Sequence, residues 1–127
     1  MAELLYKEIT DKIMKGFYDV YNELGRGFLE NVYENALIIA LKEYGLSLEQ
    51  QKGINVYFRN ELVGEYRVDI LVENKIILEL KACRKFAPEH EAQIIHYLKA
   101  TGMSVGMLLN FGDVPEFKRV VYDNLRK

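Results

Sequence analysis

The sequence predicts an α/β fold of the mixed α+β kind, in which helices flank a central mixed sheet of four to five strands. Three observations predict it. Apolar residues recur at steps of three and four in the first third of the chain, and they alternate with polar residues from residue 54 onward. A further helical segment then separates the third strand from the fourth. The predicted order is ααβββαβ, followed by a β-strand or a short helix.

Two helices are predicted before the sheet. The first covers residues 3–24 and ends where the sequence GRG at 25–27 breaks the helical pattern. The second runs from about Phe28 to Tyr44, and Gly45 suits the position just beyond a helix end.

The remaining elements follow from alternation and from turn residues. Strands are predicted over 54–59, 62–72, 76–82 and 104–111. A helix from Pro88 to about Ala100 connects the last two, which favours a parallel crossover. The segment 117–122 is compatible with an edge strand or a short helix.

Composition and charge limit the function only mildly. The chain of 127 residues is expected to form one domain, 1–127, with half of its residues apolar and 28% charged. Its formal charge of -2 gives no basic excess, which counts against tight nucleic-acid binding. It does not exclude an enzyme that meets phosphate through a metal ion.

The cellular compartment is predicted from three absences. Cys83 is the single cysteine, so no disulfide can form within the chain and a reducing cytosol is expected. The first residues do not have the pattern of a signal peptide. The longest apolar run, 36–41, is too short to span a bilayer. The expected location is therefore cytoplasmic, without a membrane.

Three charged residues lie in the otherwise apolar stretch VDILVENKIILELK at 68–81: Asp69, Glu79 and Lys81. Alternation puts Glu79 and Lys81 on one face. A three-residue loop, 73–75, would pair Val72 with Ile76 and place Asp69 opposite Glu79. A two-residue loop would instead put the two acids on opposite faces.

The three-residue loop would bring two carboxylates to roughly 5 Å from one another. Such a pair is unfavourable alone, but it suits a divalent cation, since Mg²⁺ is typically held by one or two carboxylates with waters and phosphate oxygens. The alternative is a set of solvated charges on an amphipathic hairpin.

The motifs resemble those of a known family. Asp69 followed by ELK at 79–81 resembles the signature of the PD-(D/E)XK nuclease superfamily, and GFLENVY at 27–33 matches the GxxExxY pattern that names a small family within it. The segments 64–82 and 90–112 are also similar to that family, so that the resemblance covers roughly residues 20–122. It implies a restriction-endonuclease-like core.

The resemblance implies a metal site on the hairpin. Asp69 and Glu79 would bind Mg²⁺ or Mn²⁺, and the backbone carbonyl of Leu80 would add a ligand. Lys81 would orient or activate the attacking water, either with a lowered pKa or by positioning that water.

Two helices would complete the site. The resemblance implies that Glu30 is a further catalytic acid and metal ligand, and that Gln93 is catalytic. The predicted substrate-binding residues are Arg84, Lys85, His90, Tyr97 and Tyr33. For Tyr33, packing with a polar tip is the favoured alternative.

Three functions are compatible with the sequence. The first is an Mg²⁺-dependent nuclease that cuts DNA or RNA, and the second is a non-catalytic module that binds nucleic acid or protein. The third is a metal-dependent hydrolase of small nucleotides. Nucleic acid, a second copy of the chain and another protein are all candidate partners.

Overall fold

In the computed structural model, which describes residues 5–123, five strands form one sheet with helices packed on both faces. The helices are α1 (Lys7–Leu24), α2 (Glu30–Glu43) and α3 (Pro88–Thr101). The strands are β1 (Leu48–Phe58), β2 (Glu61–Val72), β3 (Ile76–Lys81), β4 (Val105–Phe111) and β5 (Pro115–Val121). Among residues 5–123, no helix is long and apolar enough to cross a membrane.

The sheet follows chain order, β1-β2-β3-β4-β5. All neighbouring strands are antiparallel except β3 and β4, which α3 connects as a parallel pair. The predicted mixed sheet and the parallel crossover are therefore confirmed. The segment that was compatible with either a strand or a helix forms β5 at the sheet edge.

Each face of the sheet has its own apolar core. Leu78 and Leu80 of β3 join the core beneath α1 and α2, whereas Ile77 joins the core beneath α3. Because side chains alternate along a strand, Glu79 and Lys81 share one face, as the sequence predicts, and this face is the α3 side. Burial on both faces explains why β3 is almost wholly apolar.

The boundary of β1 differs most from the prediction. This strand begins at Leu48, six residues before the predicted start at residue 54. The segment 48–53 reads LEQQKG, which has no apolar alternation and is largely exposed. Pairing with β2 specifies this part of the edge strand instead. Positions 3 and 4 of the predicted first helix lie outside the described residues.

The turn between β2 and β3 has the three-residue form. Val72 pairs with Ile76, and the amide of Lys75 donates to the carbonyl of Val72 at 2.9 Å. Glu73 and Asn74 have positive φ values of 54° and 57°. The register that places Asp69 opposite Glu79 is thus the one that forms.

Candidate active site

Asp69 and Glu79 lie where the pairing of β2 with β3 ends. The last paired residues are Ile70 and Leu78, so the next position on each strand is Asp69 and Glu79. Oδ2 of Asp69 accepts a hydrogen bond from the backbone amide of Leu80 at 2.7 Å. A side-chain carboxylate therefore replaces the main-chain acceptor that a continuing strand would supply, and the two carboxyl groups share a hydrogen bond.

Glu79 is the buried member of the pair. Its side chain is 5% exposed, and its Oε1 has no hydrogen-bond partner among the described residues. Burial, followed by the nearby charge of Asp69, raises the pKa of Glu79 to about 9, although Lys81 acts in the opposite direction. The metal-free site therefore keeps Glu79 protonated near neutral pH.

This arrangement fits a divalent cation. A buried oxygen without a partner and a second carboxylate beside it are what such an ion would satisfy. Residues 5–123 contain no group of three or more His, Cys, Asp or Glu side chains that could hold a metal. The remaining ligands would have to be backbone oxygens, water and substrate phosphate, which is a mode typical of Mg²⁺.

The end of β3, where Lys81 lies, is fixed by a buried amide. Asn110 of β4 pairs with Lys81, and its side chain bonds both the amide and the carbonyl of Cys83, at 3.0 and 2.8 Å. Any side chain at Gly112 would collide with that same carbonyl. Asn110 was not predicted as a site residue. The sequence feature that could have identified it is a polar residue near the end of an otherwise apolar strand.

Helix α3 contributes Gln93 and Tyr97, and the charges of both carboxylates act on Tyr97. The Tyr97 hydroxyl is hydrogen-bonded to the Gln93 side chain. Burial, followed by the charges of Glu79 and Asp69, raises the pKa of Tyr97 to about 12. The predicted catalytic role of Gln93 and the predicted substrate-binding role of Tyr97 stay predictions.

Glu34 and Gln51 were missed by the sequence reasoning. Buried Glu34 accepts hydrogen bonds from the side-chain amides of Gln50 and Gln51, at 2.7 and 3.0 Å. The Gln51 amide also lies 3.4 Å from Oδ1 of Asp69. Gln51 therefore connects a buried carboxylate on α2 to the carboxylate pair on the hairpin.

The backbone of Gln51 makes this connection possible. Consecutive strand residues normally point to opposite faces, yet Gln50 and Gln51 both reach Glu34. Gln51 has a φ of 53°, a left-handed conformation that is unfavourable for residues other than glycine. Its carbonyl accepts a hydrogen bond from the Arg67 guanidinium at 2.9 Å. No local sequence signal predicts such a conformation at a glutamine.

Glu30 does not join the carboxylate pair. It is the exposed first residue of α2, and its charge raises the pKa of the Cys83 thiol, although less than burial does. It is not part of any three-residue ligand group in the described chain. Its role as a further catalytic acid and metal ligand stays a prediction.

Tyr33 packs in the core, which corrects its prediction as a substrate-binding residue. Its side chain is fully buried and its ring stacks on Phe111 with centroids 4.4 Å apart. The hydroxyl donates to the carbonyl of Gly25 and accepts from the amide of Phe28. The loop before α2 thus satisfies the hydrogen bonds of the Tyr33 hydroxyl, and no part of the side chain is left exposed for a substrate.

The basic residues after β3 are accessible. Arg84 and Lys85 are exposed, and Arg84 lines a cavity of about 420 Å³ together with Arg26. His90 uses its Nδ1 to accept the amide of Ala87 at 3.0 Å, which holds the start of α3. The predicted substrate contacts of these residues stay predictions.

Comparison with known proteins identifies the class of this fold and site. Residues 7–120 match the sequence profile of a family described as the PD-(D/E)XK nuclease superfamily. Since this match covers most of the chain, the protein belongs to the PD-(D/E)XK nuclease superfamily. Nucleases of this superfamily generally use divalent metals. No curated protein matches the chain.

Two solved structures share the fold. The crystal structure of SSO0001 is 17% identical, with a TM-score of 0.58, and the match covers 76% of this chain and 53% of that one. An alkaline exonuclease (LHK-Exo) from Laribacter hongkongensis is 16% identical, with a TM-score of 0.55, over 76% of this chain and 57% of that one. The chain spans just over half the length of each of these structures.

The raised pKa of Glu79 predicts the pH dependence of stability. Between the unfolded value of 4.5 and about 9, the native state binds more protons than the unfolded state, so the metal-free protein loses stability as pH rises. The slope should approach about 1.4 kcal/mol per pH unit. Urea unfolding in EDTA at several pH values measures it. Glu79→Gln should remove this slope, whereas Glu61→Gln at an exposed position should keep it. Equal slopes in wild type and Glu79→Gln would contradict the assignment.

The bridge through Gln51 predicts separable effects on affinity and stability. Gln51→Gly and Gln51→Ala both remove the amide, so each should weaken Mn²⁺ binding by about tenfold in calorimetry. Because glycine adopts positive φ without strain, the glycine variant should be about 1 kcal/mol more stable than the alanine variant. Gln50→Ala serves as the control, since Gln50 makes no hydrogen bond to Asp69. Unchanged Mn²⁺ affinity in both Gln51 variants would exclude the bridging role.

Proposed function

We propose that this protein is a Mg²⁺- or Mn²⁺-dependent nuclease that hydrolyses phosphodiester bonds in DNA or RNA, and that it is a member of the GxxExxY family. The observation that carries the proposal is the Glu79 carboxyl, buried beside Asp69 with one oxygen unpartnered. Folding alone gives no reason to bury one acid beside another, whereas a metal-dependent member of this superfamily requires the pair.

Asp69 and Glu79 are the proposed metal ligands, with the carbonyl of Leu80. The Leu80 amide points toward Asp69, and the N–H and C=O of one strand residue point to the same edge. Its carbonyl is therefore directed into the gap where β2 and β3 part. A divalent ion, when bound, would lower the pKa of its water and offset charge that develops on the phosphate.

Lys81 and Gln93 are proposed to position the attacking water. Lys81 follows Glu79 on the same face of β3, and its charge already acts on the Glu79 carboxyl. An ammonium group at this position can orient water toward a phosphate or stabilise the developing charge. Gln93, bonded to Tyr97, offers a side-chain amide from α3.

The substrate is proposed to approach across the loop after β3. Arg84 and Lys85 are exposed there and supply cations for phosphate contacts. Since these contacts are few and the chain has a net charge of -2, most affinity for the cleaved phosphate would come through the metal ion. A cytoplasmic location is part of the same proposal.

The alternative is a module that binds nucleic acid or another protein without cutting. The net charge of -2 favours it, because nothing in the overall charge attracts a polyanion. A homodimer or a protein partner would fit this alternative. Cleavage by the purified chain distinguishes it from the nuclease.

Asp69→Ala and Lys81→Ala should each abolish Mg²⁺-dependent cleavage of labelled single-stranded DNA, duplex DNA, branched DNA and RNA. Asp69→Ala and Glu79→Ala should also lose metal uptake, because each removes a proposed ligand. Lys81→Ala should keep metal uptake and lose only cleavage. Gel assays of cleavage and calorimetry with Mn²⁺ give the two readouts.

Lys42→Ala is the matched control for Lys81→Ala, because it removes an exposed lysine in the last turn of α2, outside the proposed site. It should keep most of the cleavage. Activity that is unchanged in Lys81→Ala would indicate a contaminant or a different site. Absence of metal uptake and of cleavage in wild type would leave the binding module as the better account.

A further inference from the structure

Three tyrosines are among the residues that line one surface groove. We call it the tyrosine groove; its principal residues are Asn55, Tyr57, Tyr66, His96, Tyr97 and Lys99. The volume is about 520 Å³, which lies in the range that holds a nucleotide-sized ligand. It lies between the β1–β2 hairpin and α3, outside the carboxylate pair itself.

Two of the rings present their surfaces to solvent. Tyr57 is 61% exposed and Tyr66 is 51% exposed. Tyr66 is nevertheless held in place, since its ring contacts Tyr97 with centroids 5.8 Å apart and covers Gly64. A fixed, exposed aromatic ring loses little entropy when a flat ligand stacks on it.

Tyr97 connects the tyrosine groove to the proposed catalytic site. Tyr97 forms its inner wall and also hydrogen-bonds Gln93. The charges of Glu79 and Asp69 both act on the Tyr97 hydroxyl. A ligand that stacks in the groove would therefore contact Tyr97, a residue on which both carboxylates act.

The charge of the lining favours an anionic ligand. It includes the cation Lys99, and no Asp or Glu is present among the described residues that line it. The imidazole of His96 adds a hydrogen-bonding group. This is notable in a chain whose net charge is -2. Aromatic rings with cations beside them are the usual platform for single-stranded nucleic acid.

We propose that the tyrosine groove is a nucleobase subsite, in which an unpaired base next to the cleaved phosphate stacks on Tyr66 and Tyr57. The proposal rests on the proposed nuclease function and names its substrate class as single-stranded nucleic acid. A duplex cannot use the groove in the same way, because its bases are already stacked and paired. Tyr97 links base stacking to the carboxylates.

Fluorescence anisotropy with two labelled oligomers tests the subsite. One is oligothymidylate, and the other is an abasic oligomer with the same number of phosphates. Measured with Ca²⁺ in place of Mg²⁺, wild type should bind oligothymidylate about tenfold more tightly than the abasic oligomer. Tyr66→Ala and Tyr57→Ala should each remove most of this difference and leave binding of the abasic oligomer unchanged.

Three variants serve as controls. Tyr66→Phe and Tyr57→Phe keep the ring and should keep the preference for bases. Phe117→Ala removes an exposed ring from β5 and should have no effect. Mn²⁺ uptake by each variant should match wild type, which shows that the fold and the carboxylate pair are intact.

Two results would overturn the inference while the nuclease proposal stands. One is an unchanged preference for bases in Tyr66→Ala and Tyr57→Ala. The other is a wild-type dimer that these variants convert to a monomer without any change in oligonucleotide binding, which would make the groove a protein interface. The nuclease proposal itself would fail on a separate result, namely that wild type shows neither metal uptake nor cleavage.

Discussion

The site depends on one unfavourable interaction, the burial of the Glu79 carboxyl beside Asp69. Burial and the neighbouring charge raise the pKa of Glu79 to about 9, so the protein without a cation keeps a proton where a charge would otherwise be. The remaining oxygen has no partner among the described residues. Such an arrangement costs stability unless something compensates it, and a divalent cation is the simplest compensation.

Hydrogen bonds from three parts of the fold support this pair. Asp69 accepts the backbone amide of Leu80, which fixes its carboxylate at the point where two strands part. Asn110 ties the end of β3 to the following loop. The bridge from Glu34 through Gln51 reaches Asp69 from the helix layer. Supporting partners of this kind orient ligands and tune their affinity for metal.

Alternation of side chains reduced the arrangement of Asp69 and Glu79 to two registers, and the resemblance to a nuclease family favoured the one that forms. The period of two placed Glu79 on a definite face, and the three-residue turn placed Asp69 opposite it. The supporting contacts could not be predicted. Glu30 and Glu34 lie one turn apart on α2, and only packing against β1 decides that Glu34 is the one connected to Asp69. The left-handed Gln51 depends on that same packing.

The central claim is that a divalent ion displaces the proton on Glu79. Calorimetric titration with Mn²⁺ at about pH 7, repeated in buffers of different ionisation enthalpy, measures the protons released on binding. The account predicts release of about one proton per ion, and none in Glu79→Gln, whose remaining binding should be weak. Tight Mn²⁺ binding without proton release, or equal release by wild type and Glu79→Gln, would contradict it.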